Sequence, residues 1–280
     1  MGSYFVILTC RNSESIIAKS IESIINQSVK PLFIIVINDG STDETSQILS
    51  RYETSYDNFY IINNPDLGYD VTRVVKNWNS ALKFVYNHNL QKTTYHMIAT
   101  DDTIYPPQYS ERIIKIMDED ISLACVSGDY GDNKSIMPHG AGRFIRNTFF
   151  QDTRWKGFYP DRMGYEAAIL FEAIIHRFNY TVIPNLKFEH ERPLGTGHKF
   201  YTFGASMKSL GYHPLYVLGR FLKNFVTGKE TGRYGSFYML YHYLIYRPDK
   251  EGFNSLYEKD FRSHVRSIQR VKILKIFGKR

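Results

Sequence analysis

Two adjacent carboxylates, Asp101 and Asp102, follow the apolar run YHMIA with only Thr100 between. Neighbouring carboxylates repel one another unless a cation or hydrogen-bond donors offset their charge. A hard divalent ion suits them, because Mg2+ or Mn2+ takes one or two carboxylates and completes its shell with substrate phosphate oxygens. The same pair also suits a plainer task, capping the turn or helix that follows. Asp39 stands beside Gly40 after a second apolar run, LFIIVIN. A carboxylate there can accept hydrogen bonds from a base or ribose, or serve as an ordinary turn aspartate.

The elements that must position these residues alternate along the chain. Residues 4–9 (YFVILT) form a strand, and the spacing of Ile16, Ile17, Ile21, Ile24 and Ile25 is helical. LFIIVIN is a second strand, β-branched and continuous as expected when both faces are covered. NDGSTDET then gives a glycine turn and helix N-cap chemistry, and a helix runs to about Arg51. Strands over 58–62, 95–99, 121–128 and 180–188 and helices over 71–87, 106–119 and 164–178 complete the pattern. This predicts an α/β fold with a doubly wound sheet, in which ligands bind outside the carboxyl ends of the strands. The polar residues at those ends are Thr9-Cys10-Arg11-Asn12, Asn38-Asp39-Gly40 and Thr100-Asp101-Asp102.

Composition narrows the field. At 280 residues and 43% hydrophobic content the chain can bury a large core, which excludes a disordered protein. Cys10 and Cys125 lie inside apolar runs and read as buried free thiols. No run approaches the roughly 18 apolar residues of a membrane span, and no basic leader precedes Tyr4, so a soluble, unexported protein is expected. Of the net charge of +7, residues 220–280 hold 14 Lys+Arg against 5 Asp+Glu, which leaves the rest slightly acidic. Nucleic-acid binding would place basic residues along a groove with stacking aromatics, whereas these lie on apolar amphipathic segments. A sugar nucleotidyltransferase would carry a glycine-rich phosphate loop after the first strand, and LTCRNSES has no glycine.

The stretches SESIIAKSIESIINQS, FIIVINDGSTDETSQIL and YHMIATDDTIYPP, in that order and spacing, resemble the family 2 inverting glycosyltransferases of GT-A fold. NDGSTDET is similar to the DDGSTD signature, with Asn38 in place of the first aspartate, and TDD is similar to the Asp-x-Asp metal motif in an Asp-Asp form. MGYEAAILFEAIIHRFNYTVIPNLKFEHERP resembles a second block of that family, and the likeness covers about residues 4–195. It implies a mixed, mostly parallel sheet flanked by helices. It also implies that Thr9 and Arg11 line the nucleotide pocket, that Asp39 contacts the base, and that Asp101 faces the ribose or metal. Asp102 is then the metal ligand, Glu166 the general base and His190 a metal or diphosphate contact. Arg73 and Asn77 lie on a helix used near the donor, although the usual Arg-Asn pair appears as Trp78-Asn79. Each site has a plainer reading: Glu166 as a solvated helix acid, His190 as a turn hydrogen bond. Glu172 reads as a surface residue, and His96 and His139 as structural. Gly140, Gly142, Arg143 and Arg146 suggest a mobile loop near the acceptor or a surface loop.

The expectation is a metal-dependent (Mn2+ or Mg2+) inverting transfer from a UDP- or GDP-sugar to an acceptor hydroxyl, in lipid-linked or surface glycan synthesis. Transfer onto a polyprenyl phosphate, which needs no base, is the alternative. Residues 1–196 form the catalytic domain, with a donor half to about 103 and an acceptor half over 104–196, and residues 197–280 form a helical appendage. Segments 212–226, 234–247 and 265–280 combine apolar and aromatic faces with Lys and Arg. That pattern suits an anionic membrane surface, and equally helices packed on the catalytic domain with a solvated basic face. A protein peripheral on the cytoplasmic face is expected, with no nucleic-acid partner.

Overall fold

The computed structural model describes residues 1–90, 92–130, 137–192, 201–228, 232–250, 253 and 255–277, the last six of these by backbone alone. The boundary expected near residue 197 and the apolar positions Ile273, Leu274, Ile276 and Phe277 lie outside what can be described of side chains and loops. In chain order the elements are β1 (Tyr4–Cys10), α1 (Ile17–Ile25), β2 (Ile34–Asn38), α2 (Thr45–Ser55), β3 (Phe59–Asn63), α3 (Arg73–Asn87), β4 (Tyr95–Thr100) and β5 (Thr103–Ile104). Then follow α4 (Tyr109–Glu119), β6 (Leu123–Asp129), β7 (Arg143–Arg146), α5 (Asn147–Asp152), α6 (Tyr165–Ile175), β8 (Asn179–Lys187) and β9 (Glu189–His190). The last four helices are α7 (Tyr201–Leu210), α8 (Pro214–Thr227), α9 (Gly232–Ile245) and α10 (Lys259–Phe277). The chain divides into two compact units, Met1–Tyr159 with Glu172–Pro193, and Pro160–Phe171 with Leu194–Arg280; one of the three boundaries falls inside α6.

The first unit is built on a seven-stranded sheet of order β3-β2-β1-β4-β7-β6-β8. β3, β2, β1 and β4 are parallel, β7 is antiparallel to both its neighbours, and β8 returns parallel to β6. Helices flank the sheet, as the patterning predicts, and its mixed, mostly parallel order is the one the resemblance implies. The continuous apolar runs have their physical reason here: every residue of β2 is buried, as is all of β1 except Thr9. α1 buries Ile17, Ile21, Ile24 and Ile25 on one face, the period read from the sequence. Both cysteines are free and buried.

Of the stretch at 140–146, the glycines at 140 and 142 lie in a bend and a turn, but the arginines do not form the loop that their composition suggests. Arg143–Arg146 is a strand in the middle of the sheet, and Arg143 is buried with its Nη2 donating to Pro138 O at 2.6 Å. Arg146 donates to the carbonyls of Leu123 and Met117 at 3.0 and 2.5 Å. Each guanidinium donates to main-chain oxygen, and Arg146 also meets the Tyr95 hydroxyl at 3.3 Å, which lets charged residues flank the apolar pair Phe144 and Ile145 in an interior strand.

His96 on β4 is fully buried between Asn147 Oδ1, 2.6 Å from Nδ1, and the Tyr159 hydroxyl, 2.9 Å from Nε2. These partners are compatible with a neutral ring that donates to the amide oxygen and accepts from the phenol. Burial pushes its pKa from 6.5 down to about 4, against the opposing hydrogen bond to Asn147. The unfolded chain therefore takes up this proton at higher pH than the folded one, so stability rises with pH across that window. Acidification from about 6.5 towards 4 should cost on the order of 3 kcal/mol at this site. Urea midpoints at pH 7 and 4.5 should show the loss in the wild type and a flatter dependence in His96→Gln.

In the second unit, Gly204 of α7 lets α9 approach until a Cβ there would stand 2.1 Å from Met239 O. His213 caps α8 by accepting from Leu215 N at 3.3 Å, with Pro214 in the first turn. Phe261, Val265 and Gln269 of α10, spaced four apart, are buried. Among the described residues, no helix is long and apolar enough to cross a membrane.

Candidate active site

Parallel pairing brings the carboxyl ends of β2, β1 and β4 side by side: Thr9 is in register with Ile37 on one flank and Thr100 on the other. The turn after β2 passes so close to the chain at 65–66 that a Cβ on Gly40, whose φ is 67°, would stand 2.5 Å from Asp66 Cα. Only glycine suits this position. Arg11 fastens the same place, donating from Nη1 to the carbonyls of Asp39 and Gly40 and pairing through Nη2 with Asp66 at 2.7 Å. Its guanidinium thus ties the turn after β2 to the chain at Asp66. Asn38 donates to Ser46 Oγ and Asn63 Oδ1 at 2.9 and 3.0 Å and accepts from Ser41 N. An aspartate could not donate to Asn63, so the departure at this position has a local reason.

Asp39 is buried, and Arg73, at the start of α3, lies against it with Nη2 to Oδ2 at 3.1 Å. Asn77, one turn further along α3, is buried; its Oδ1 accepts from Asn64 at 2.9 Å. Asn77 Nδ2 and Thr9 Oγ1 are buried without a hydrogen-bond partner among the described residues. Such orphaned groups cost free energy until something pairs with them. Trp78-Asn79 serves packing: the indole meets Tyr159 edge-on at 5.0 Å, and Asn79 exchanges two hydrogen bonds with the Tyr159 backbone.

The two carboxylates after β4 have different surroundings. Asp101 is buried and accepts from Ser13 Oγ, with Arg192 Nη1 at 3.6 Å; burial pushes its pKa up against these two partners. Asp102 accepts from Thr100 Oγ1 at 2.9 Å and has His190 Nδ1 at 3.5 Å from the same oxygen, Oδ1. Burial alone pushes Asp102 up, but His190, Thr100 and Arg192 outweigh it and hold the carboxyl below its ordinary range. The short ribbon of β5 with β9 pairs Thr103 with His190, and that pairing delivers the histidine to Asp102.

Asp102 Oδ2 takes no hydrogen bond from a described residue, and the carboxylate is ionised and partly accessible. That donor chemistry fits a hard divalent cation. Among the described residues no cluster of three or more His, Cys, Asp or Glu side chains is placed to hold a metal ion.

Several polar residues here escaped the sequence reading. Ser13 and Arg192 contact Asp101, and Asp66 anchors Arg11. Asp129, at the end of β6, is buried with His139 Nε2 at 3.0 Å, and the ring of Tyr130 meets both His139 and His190 edge-on at 4.7 and 5.1 Å. The signal for Asp129 was available: GDY after an apolar strand is the same kind of strand-end acid as TDD. Glu172 is not on the surface. It is fully buried, with Arg154 Nε at 2.7 Å and His176 Nε2 at 3.4 Å, because a guanidinium from a distant loop makes its burial tolerable. Glu166 lies in the first turn of α6, in the second unit.

Residues 5–178, more than half of the chain, match the profile described as Glycosyl transferase family 2. The chain is 27% identical over 128 residues to the Escherichia coli (strain K12) protein named uncharacterized glycosyltransferase YibD, covering 45% of this chain and 33% of that one. It spans about a third of the length of the first curated relatives it matches. Among solved structures it is similar to mannosyltransferase PcManGT from Pyrobaculum calidifontis in complex with GDP-Man and Mn2+, with TM-score 0.58 and 14% identity over 87% of this chain and 70% of that one. It is similar also to S. aureus TarS 1-349 in complex with UDP-GlcNAc, with TM-score 0.53 and 15% identity over 74% and 64%. At these identities the likeness establishes the fold, which is of GT-A type. The profile match and the glycosyltransferase relatives therefore converge on one assignment, and the chain belongs to glycosyl transferase family 2.

Proposed function

We propose that this chain moves a sugar, with inversion, from a nucleoside-diphosphate sugar to an acceptor hydroxyl of a glycan or lipid-linked glycan, with Mn2+ or Mg2+ bound. The observation that carries the reading is the ionised Asp102, with an oxygen that takes no hydrogen bond from a described residue and His190 beside it, at the strand ends that also hold Asp39 and Asp101. Two solved relatives of the fold hold GDP-Man with Mn2+ and UDP-GlcNAc. Asp102 and His190 are the residues suited to the metal, which when bound neutralises charge gathering on the departing diphosphate.

The chain's own groups do the rest. Asp39, oriented by Arg73, accepts from the base, and Thr9 Oγ1 and Asn77 Nδ2 gain partners when the donor binds. Asp101 contacts the ribose, and Arg11 holds the turn between them. Glu166 takes the acceptor hydroxyl's proton as that oxygen bonds to the anomeric carbon and the bond from that carbon to the diphosphate oxygen breaks. Catalysis belongs to residues 1–196 and membrane approach to 197–280, at the cytoplasmic face.

Thermal unfolding with UDP and GDP, with and without Mn2+, tests the reading. A nucleotide at ~100 times its Kd should stabilise the fold by about 2.7 kcal/mol, and only with metal. Absence of metal-dependent stabilisation by either nucleotide overturns it.

A further inference from the structure

Of the segments expected to face a membrane, those on α8 and α9 carry the apolar surface that stands out among the described residues. Eleven of the twenty large apolar residues found exposed lie on α8 and α9, so the exposure belongs to one helical hairpin and not to the chain at large. On α8 they are Leu215, Leu218, Leu222, Phe225 and Val226, spaced three to four apart along one side, while Val217 and Asn224 are buried on the other. On α9 Tyr234, Phe237, Tyr238, Tyr241, Leu244 and Ile245 repeat the pattern opposite buried Gly235, Ser236, Met239 and Tyr243. Each helix thus has a packed side and a second, outward apolar side. The two outward stripes join, since the Phe237 ring lies edge-on to Phe225 at 5.3 Å and to Phe221 at 5.2 Å.

Charge and chemistry say what covers this face. Neither helix contains an aspartate or glutamate, while α8 carries Arg220 and Lys223 and α9 carries Arg233. Three of the exposed residues on α9 are tyrosines, whose apolar body and polar tip suit the depth of lipid headgroups. Each helix has 14 residues, roughly 21 Å of rise against about 30 Å of hydrocarbon, so such helices lie in the interface plane and do not span it.

We propose that the outward face of the α8–α9 hairpin docks on an anionic membrane surface, with the apolar stripes entering the headgroup region and the exposed Lys223 and Arg233 meeting acidic lipids. The inference names the surface for the peripheral membrane reading above and stands apart from sugar transfer, because docking is measured without donor.

The full chain is sedimented with vesicles of phosphatidylcholine alone and of phosphatidylcholine with phosphatidylglycerol. Partition onto the anionic vesicles should be on the order of 10- to 100-fold higher, and should fall in high salt. Leu222→Glu combined with Tyr241→Glu should return partition to the neutral-vesicle level with an unchanged melting temperature. Leu218→Ser with Leu244→Ser, a milder exchange at exposed positions, should weaken it in the same direction. Wild type staying in the supernatant on both vesicles, or variants binding as well as wild type, overturns the proposal. So does sedimentation velocity showing a dimer that the glutamate variant dissociates without any vesicle binding, since the face then pairs two copies of the chain.

Discussion

Asp102→Asn should abolish metal-dependent nucleotide stabilisation and lower sugar transfer by about 10³-fold or more, with the melting temperature of the ligand-free protein little changed. The magnitude follows from charge. A Lewis-acid site supplies several kcal/mol of stabilisation to a leaving group that turns anionic, and about 4 kcal/mol corresponds to 10³ in rate. An amide can still meet the Thr100 hydroxyl, which keeps the turn intact, but it offers no negative oxygen to a cation. Asp101→Asn is a useful contrast. That carboxyl is pushed up by burial and already engaged by Ser13, so its loss should raise the donor's KM more than it lowers kcat. Metal titration followed by nucleotide-induced thermal shift reads the first effect, and steady-state kinetics with a UDP- or GDP-sugar reads the second. Equal metal-dependent binding in wild type and Asp102→Asn would remove Asp102 as the ligand.

Glu166→Gln should lower kcat by about 10²–10⁴ while leaving Mn2+-dependent nucleotide binding as in wild type. Glutamine keeps the shape and cannot accept a proton, so the loss isolates proton transfer from positioning. The outcome separates two acceptor chemistries. An acceptor hydroxyl must be deprotonated as it attacks, whereas a polyprenyl phosphate arrives ionised and needs no base. Near-normal turnover in Glu166→Gln together with a dead Asp102→Asn would point to the phosphate acceptor, and loss of nucleotide binding would point to a structural role for Glu166.

Much of this was legible along the chain because parallel strands covered on both faces must be continuously apolar, and their carboxyl ends must then present whatever polar residues come next. Val6–Cys10 against Ile34–Asn38, and Tyr4–Thr9 against Tyr95–Thr100, pair in the register that puts Thr9, Asp39 and Asp101 on one rim. What escaped was long-range compensation. Arg146 read as part of a basic loop because its partners are main-chain carbonyls on other elements, at Leu123 and Met117, invisible in a local pattern. Glu172 read as a surface acid because the Arg154 guanidinium that permits its burial lies 18 positions away. Segments 212–226 and 234–247 read as membrane-facing from composition, but which side of α8 and α9 carries the exposed apolar stripe depends on which side of each helix its neighbours cover.

The sequence by itself determined the order of elements from β1 to β4, the sheet's parallel half and the strand-end acids, since each follows from periodicity and residue type within a short window. Only the tertiary structure decided what those acids do electrostatically. Asp102 is held ionised because the β5–β9 ribbon brings His190 across 88 positions, while Asp101, its immediate neighbour, is shifted the other way by burial. Adjacent residues of identical type acquired opposite character because charge responds to distance in space, and distance in space is set by the whole fold.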